Sequence, residues 1–293
     1  MEELKRCIIC DNQELTTVFS LKDYFFTREE FTIQQCKKCG FRFTNPRPEE
    51  KELGPYYKTE DYLSHSNRKK TLFDKAYHAV KNYNLRRKKG LVEKHVSNGT
   101  IIDIGAGTGA FLAQFDETKW KRLGLEPDST AREIAKINFG LELKDPSTLA
   151  NEEIKDVTVI TLWHVLEHIS TLNEQLALIH EKLATNGILV IAVPMSNSYD
   201  AEHYGKYWAA YDVPRHLYHF TQDTLQLLLK KHGFSLIEKY PMKFDSFYIS
   251  LLSEKHKKNS LAQVKAVANG LFSNIMASNE KGTYSSMIFV FRK

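Results

Sequence analysis

The sequence predicts an α/β fold in which a mostly parallel sheet is preceded by a small four-cysteine module. All four cysteines lie within the first 40 of the 293 residues. Strand-like and helix-like segments alternate from Thr100 onward, and a glycine-rich turn follows the first of these strands. A chain of this length accommodates one α/β domain and a small appendage.

The cysteines form two CxxC pairs, Cys7-x-x-Cys10 and Cys36-x-x-Cys39. This spacing is typical of a zinc ribbon, in which four thiolates close a tetrahedral structural site. β-Branched and aromatic runs between the pairs predict a short hairpin that carries them. Free buried thiols and two disulfides are the alternatives. We expect structural zinc, because a reducing cytosol disfavours disulfides.

The segments after the cysteines predict the rest of the fold. A Pro-containing turn at residues 45–48 and a helical pattern over 71–96, which we expect to cover the sheet, lead into the α/β domain. The predicted strands are 100–104, 122–126, 141–143, 157–162, 187–193, 234–240 and 287–291, and the predicted helices are 109–115, 128–138, 172–184 and 221–233. We therefore divide the chain into a zinc-ribbon-like module (1–48), a linker with the covering helix (49–98) and the α/β domain (99–293).

The glycine-rich turn, Gly105-x-Gly107-x-Gly109, is a candidate ligand site. Glycines let a backbone turn sharply and approach a ligand closely. Glu126 ends the next predicted strand, where a carboxylate can accept hydrogen bonds from both ribose hydroxyls of a nucleoside cofactor. Gly105-x-Gly107-x-x-Ala110 also satisfies the dinucleotide fingerprint, so NAD binding is an alternative, as is a tight turn without a ligand.

Four segments, IIDIGAGTGAFL, GLEPD, TLWHVLEHI and GILVIAVP, resemble successive motifs of the class I S-adenosylmethionine-dependent methyltransferases. PRHLYHFT, together with the four cysteines, resembles a bacterial methyltransferase-23-like group often placed with glycan and small-molecule tailoring enzymes. The resemblance implies a Rossmann-like methyltransferase fold with a seven-stranded, mostly parallel sheet ending in a hairpin. It favours S-adenosylmethionine over NAD.

The resemblance also implies roles for individual residues. The glycine-rich turn follows the methionine half of the cofactor, Asp103 lies near its amino group, and Glu126 binds its ribose. Asp145 lies where the family has an acidic residue near the adenine amine. The expected cofactor-binding residues are Asp103, Gly105, Ala106, Gly107, Glu126, Pro127, Asp145, Trp163 and His164.

Two histidine clusters supply the candidate catalytic residues, His216 and His168. His164-x-x-Glu167-His168 has the form of an inverted zinc-protease motif, which we reject because it follows a buried strand. It also resembles the E-x-x-E-H stretch of quinone-biosynthesis O-methyltransferases, which can hold a divalent ion, but His164 replaces the first acid of a magnesium-type site. A backbone hydrogen bond in the core is the alternative role for His168. His216 follows the fifth strand, where ligands of open sheets gather, and is the first candidate for general base.

Composition and charge restrict the classes of acceptor and binding partner that we expect. The net charge is +5, and the basic runs at 68–70, 86–89 and 255–258 are typical of solvated faces. No apolar signal segment or membrane-length run is present in the sequence. We expect a cytoplasmic enzyme that acts on a small-molecule or sugar-linked acceptor, without nucleic acid or membrane insertion. An RNA methyltransferase that uses the ribbon and basic runs is the alternative, and a cofactor-binding subunit without turnover is the non-enzyme alternative.

Overall fold

The computed structural model of the chain describes residues 1–57 and 72–293. The predicted basic run at 68–70 and the first residue of the predicted covering helix lie outside the described residues. Within the described part of the chain, no helix combines the length and apolar character that crossing a bilayer requires.

Strands and helices follow one another largely as predicted. The strands are β1 (Leu15–Lys22), β2 (Glu30–Cys36), β3 (Arg42–Thr44), β4 (Gly99–Ile104), β5 (Trp120–Leu125), β6 (Val157–Trp163), β7 (Leu183–Pro194), β8 (Tyr218–His219), β9 (Ser235–Pro241) and β10 (Ser286–Arg292). The helices are α1 (Glu50–Tyr57), α2 (Leu72–His95), α3 (Ser129–Phe139), α4 (Leu172–Lys182), α5 (Tyr199–Tyr204), α6 (Gln222–Lys231), α7 (Asp245–His256) and α8 (Ala262–Met276).

A six-stranded sheet confirms the predicted α/β fold class. Its order is β5-β4-β6-β7-β10-β9, with β4, β5, β6 and β7 parallel and β10 antiparallel to both of its neighbours. Successive side chains of a strand point to opposite faces, and Ile101 and Ile102 of β4 accordingly belong to two different buried clusters. The sheet is therefore buried on both faces, which explains its β-branched runs.

Within the described residues the sheet has six strands, so the prediction of seven is wrong: the predicted third strand, at residues 141–143, does not form. This segment pairs with β5 only through an isolated bridge between Leu125 and Lys144. The Lys144 N–H donates to Gly124, and its carbonyl accepts from Glu126. The next residue, Asp145, begins a short 3₁₀ helix over Pro146–Ala150, and proline has no N–H to extend the ladder.

The predicted helix over 109–115 is also reduced, to a 3₁₀ turn at Leu112–Gln114. Gly109 has φ +74°, which lies outside the helical region, so a helix cannot include it. The other predicted helices of the α/β domain form within a few residues of their expected bounds, as α3, α4 and α6.

A second sheet joins the four-cysteine module to the C-terminal half of the chain. The predicted hairpin is present as β1 and β2, and the sheet order is β1-β2-β3-β8. Phe43 of β3 is paired with Tyr218 of β8, which belongs to the PRHLYHFT segment. Phe43 and Cys36 also share a buried cluster with Ile102 of the main sheet. The module thus packs on the main sheet, and the boundary at residue 48 stays a prediction.

Two helices between β9 and β10 have no counterpart in the sequence prediction. α7 and α8 pack against each other, and a Cβ added at Gly270 would lie 2.7 Å from the Phe247 ring. Ser250, Ser253 and Ala266 are buried as well. Small side chains therefore allow close contact between the two helices, and Asp245, the first residue of α7, reaches the site described next.

Candidate cofactor and acceptor site

The glycine-rich turn leaves the carboxyl end of β4 with a backbone that only glycine adopts easily. Gly105 has φ +70° and Gly107 has φ +52°. The N–H groups of Gly105 and Ala106 both donate to the Leu125 carbonyl of β5, at 2.7 and 3.0 Å. A Cβ at Gly105 would lie 2.4 Å from the Val165 side chain, whereas one at Gly107 would meet no described atom within 4 Å. The turn is thus closely packed on one side and open at Gly107.

Glu126, directly after β5, holds this turn through its carboxylate. Oε2 accepts the Gly107 N–H at 2.7 Å, and Oε1 accepts the Asp128 N–H at 3.0 Å. The residue is only 6% exposed. A carboxylate oxygen can accept about two hydrogen bonds, so each oxygen retains accepting capacity after these contacts. Two such oxygens beside an open turn fit the vicinal hydroxyls of a ribose.

Asp103, at the end of β4, lies under the covering helix α2. Its carboxylate accepts a 2.5 Å hydrogen bond from Thr161, and burial raises the pKa of Asp103 to about 7. Lys88 of α2 places its ammonium 4.3 Å from the ring centroid of Trp163, and burial lowers the pKa of this lysine. The indole N–H of Trp163 is buried without a hydrogen-bond partner among the described residues. An unpaired donor thus lies at the carboxyl end of β6.

Pro127 and Asp145 lie farther toward the surface. The Pro127 carbonyl accepts from Arg132 at 2.9 Å. The Asp145 side chain is 59% exposed and caps its 3₁₀ helix by accepting from the N–H and hydroxyl of Ser147. The carboxylate of Asp145 therefore already has a local structural role.

His164 connects the cofactor side to the histidine cluster. Its Nε2 lies 3.2 Å from Oδ2 of Asp245, and its Nδ1 lies 3.6 Å from Oε1 of Glu167. Burial alone would lower the pKa of His164, but the two carboxylates raise it to about 9. The two carboxylates therefore favour the charged imidazolium form of this ring.

The predicted catalytic histidines meet although 47 residues separate them in sequence. The rings of His168 and His216 are edge to face, with centroids 4.6 Å apart. Nδ1 of His168 lies 3.0 Å from the Arg215 carbonyl and 3.0 Å from the Tyr57 hydroxyl. Nδ1 of His216 lies 2.8 Å from the Ala210 carbonyl. The 3₁₀ turn Leu166–His168 and the loop before β8 thus bring the two rings together.

Arg215 links this cluster to the four-cysteine module. Its guanidinium pairs with Asp212 through two nitrogens and lies 3.4 Å from the buried Asp23 of the N-terminal sheet. Arg215 also stacks over Phe25, 4.5 Å from the ring centroid. The N-terminal module therefore forms one wall of the histidine cluster.

The comparisons with known proteins identify the family of this chain. A family model described as a methyltransferase domain matches residues 77–239, more than half of the chain. The chain belongs to this methyltransferase family. It is an enzyme of the S-adenosylmethionine-dependent class.

Several solved structures are similar to this methyltransferase at low identity. A SAM-dependent methyltransferase from Archaeoglobus fulgidus is 17% identical, with a TM-score of 0.48 over 76% of this chain and 98% of that one. The cyclase SpnF is 15% identical, with a TM-score of 0.48 over 71% and 80%. The cyclopropane synthase MmaA2 from Mycobacterium tuberculosis is 16% identical, with a TM-score of 0.43 over 67% and 78%. No curated protein matches the chain significantly.

The four cysteines of the methyltransferase lie together as the sequence predicts. One sulfur from each lies within 4.8 Å of the others, and all four thiols are free. In both turns the residue after the second cysteine has a positive φ, and its N–H donates to the carbonyl of the first cysteine at 2.9 Å; these residues are Asp11 and Gly40. A tetrahedral ion with ~2.3 Å bonds to sulfur needs sulfurs ~3.8 Å apart, so the cluster fits zinc.

Sequence reasoning missed the residues that pair with the predicted ones. Asp245 pairs with His164, Asp212 lies 4.0 Å from His216, and Asp23 pairs with Arg215. Lys88 lies against Trp163, and these four partners belong to four separate segments. Only Asp212 had a signal, since it lies three residues before Arg215 in the motif segment. The others depend on tertiary packing that no local pattern shows.

Proposed function

We propose that this enzyme transfers the methyl group of S-adenosylmethionine to a small-molecule or sugar-linked acceptor. The carboxylate of Glu126, held between two backbone N–H groups beside the open Gly107, carries the cofactor assignment. A ribose at this point completes the hydrogen bonding of both oxygens. A dinucleotide would use the same carboxylate, and the family match favours S-adenosylmethionine.

The remaining residues of the turn supply binding and orientation. When bound, S-adenosylmethionine supplies a methyl group on a sulfonium that an acceptor displaces in line. Asp103 lies near the cofactor's amino group, where a cation would favour its ionised form despite its burial. The Trp163 indole and His164 line the floor, and the buried indole N–H has no hydrogen-bond partner among the described residues. Positioning of the two reactants supplies much of the rate in such a displacement.

The histidine cluster is the proposed acceptor side. Ala210 offers a carbonyl, which can only accept, so Nδ1 of His216 carries a proton and Nε2 presents a lone pair. Asp212 lies 4.0 Å from this Nε2 and would stabilise a charged ring. His216 can therefore accept the proton of an acceptor hydroxyl, which is the general-base role that the sequence predicts.

The charges around this cluster favour a small acceptor over RNA. Arg215 is paired with Asp212 and Asp23, and Arg47 is buried against Glu2 and Tyr218. Binding a nucleic-acid backbone relies on cations that are free to neutralise phosphates. Arg215 and Arg47 are already neutralised, so they are poorly placed for that purpose.

We propose zinc as a structural ion of the four-cysteine module, because four thiolates leave no open position for chemistry.

The cofactor and acceptor assignments have separate tests. Titration calorimetry with S-adenosylhomocysteine should show one site per chain, and tighter binding of NAD would contradict the cofactor assignment. A gel-shift series with RNA at increasing salt should show no specific complex. A tight complex with a steep salt dependence would replace the small acceptor with RNA.

A further inference from the structure

Glu167 is a buried carboxylate without a hydrogen-bond donor among the described residues. Its side chain is 1% exposed, and neither oxygen has a hydrogen-bond partner in the described chain. The nearest cation is His164, whose Nδ1 is 3.6 Å away, which is too long for a hydrogen bond. Burying a carboxylate without such a partner costs free energy of desolvation, so binding of a further cation here would be favourable.

The two neighbouring histidines direct their free nitrogens away from their backbone contacts. Nδ1 of His168 faces the carbonyl of Arg215, and Nδ1 of His216 faces the carbonyl of Ala210. Because a carbonyl only accepts, each neutral ring carries its proton on Nδ1 and has a lone pair on Nε2. The Tyr57 hydroxyl, also 3.0 Å from Nδ1 of His168, then acts as a second acceptor of that N–H. A hydrogen bond from one ring nitrogen to a backbone carbonyl is the usual second-shell support of a metal-binding histidine.

Glu167, His168 and His216 also have the spacing of a ligand set. One potential ligand atom from each lies within 4.8 Å of the other two. The two histidines are half-buried, so an ion held here would keep positions open. Two imidazoles and one carboxylate with open positions suit a divalent transition metal better than magnesium, which prefers oxygen ligands.

We propose that Glu167, His168 and His216 bind one divalent transition-metal ion that holds the acceptor oxygen for methyl transfer. This inference rests on the proposed function for its role, although not for the binding itself. His216 is then a metal ligand, and the ion takes over activation of the acceptor.

The ion would lower the pKa of a bound acceptor hydroxyl, whose proton leaves to water. The oxygen then forms a bond to the methyl carbon as the carbon–sulfur bond breaks, and the sulfonium becomes the neutral thioether of S-adenosylhomocysteine. No oxidant or reductant is required. His164, paired with Glu167 and Asp245, would orient the carboxylate from the cofactor side.

Metal binding can be measured without turnover. Protein loaded with one zinc per chain is titrated with Mn(II), followed by electron paramagnetic resonance, and with Co(II), followed by visible absorption. The soft thiolate site retains its zinc and disfavours Mn(II), so Mn(II) reports on the second site. We compare wild type with Glu167→Gln and His216→Gln. His180→Gln is the control, because His180 contacts Phe234 outside the cluster.

Wild type and the control should bind one Mn(II) per chain, and both ligand variants should bind at least about 10-fold more weakly. The proposal is overturned if wild type binds neither ion beyond its zinc, or if both variants bind as tightly as wild type. If Glu167→Gln loses its near-ultraviolet circular dichroism, it has lost its tertiary packing. Metal binding by His216→Gln, which alters a loop residue, then decides whether the cluster is the metal site. Binding of S-adenosylhomocysteine by the same samples tests the cofactor assignment separately, so the two proposals fail independently.

Discussion

Replacing Glu126 by alanine should weaken cofactor binding and also the turn that this carboxylate holds. The change removes the acceptor of the Gly107 and Asp128 N–H groups and the proposed partner of the ribose. Hydrogen bonds to a charged group contribute ~1.5 to 3 kcal/mol each. Loss of one hydrogen bond to the ribose alone therefore corresponds to about 10-fold to 150-fold in Kd. Disorder of the turn, which loses its hydrogen bond at Gly107, would add to this loss.

Titration calorimetry with S-adenosylhomocysteine measures this effect, and Asp128→Ala is its matched control. The Asp128 side chain caps α3 by accepting the Ala131 N–H at 2.7 Å. Its removal should cost about 1 kcal/mol of stability while leaving Kd within a few-fold. The reasoning is refuted if Glu126→Ala binds within twofold of wild type, or if Asp128→Ala weakens binding as strongly.

Three further predictions concern zinc, a buried acid and a glycine. Cys36→Ser should lower zinc content, measured by elemental analysis, while cofactor affinity stays within a few-fold; wild type without zinc would contradict the metal assignment. Burial raises the pKa of Asp103 from 3.8 to about 7, so its ionisation should progressively destabilise the fold between about pH 4 and 7, by at most ~4 kcal/mol. Asp103→Asn should remove this loss, so the variant should gain more stability over wild type at pH 8 than at pH 5. Calorimetric unfolding that shows a gain for the variant at pH 5 but none at pH 8 would disprove this cause. Gly105→Ala should lower the free energy of unfolding in urea by at least about 1 kcal/mol, because Gly105 has a positive φ and a Cβ there would meet Val165. Gly90→Ala is the control and should not lower it, because Gly90 faces open space on α2. Equal effects of the two substitutions would refute the packing argument.

The sequence predicted the main sheet well because its buried strands carry a strong local signal. The β-branched run ending at Ile104 forms β4 within one residue of its expected bounds. The apolar run ending at Pro194 forms β7, which begins four residues earlier than expected. The segment at 141–143 looked equally strand-like, yet the turn at Asp145 ends its pairing after one bridge. Local composition indicates that a segment is buried, but it does not indicate whether a neighbouring strand is present to pair with it.

The site was predictable where one motif holds both partners, and not where packing brings them together. Gly107 and Glu126 follow adjacent strands, so a parallel sheet places them side by side. Asp245 reaches His164 only because α7 and α8 are inserted before the last strand, and these helices were not predicted. Small buried residues at their contact, such as Gly270, give no strong helical signal in sequence.

The cofactor and acceptor sides of this enzyme have different structural supports. The glycine-rich turn is held by β5 and Glu126, which lie far in sequence from the cysteines. The His216 loop depends on the N-terminal module: Thr44 donates from its hydroxyl to the His216 carbonyl at 2.9 Å and from its N–H to the Leu217 carbonyl at 3.0 Å. Arg47 continues this contact through the Tyr218 hydroxyl at 2.8 Å. Zinc would contribute much of the folding energy of so small a module. Loss of zinc should therefore disturb the His216 loop before it disturbs the glycine-rich turn. Zinc removal should therefore impair use of the acceptor before it impairs binding of the cofactor.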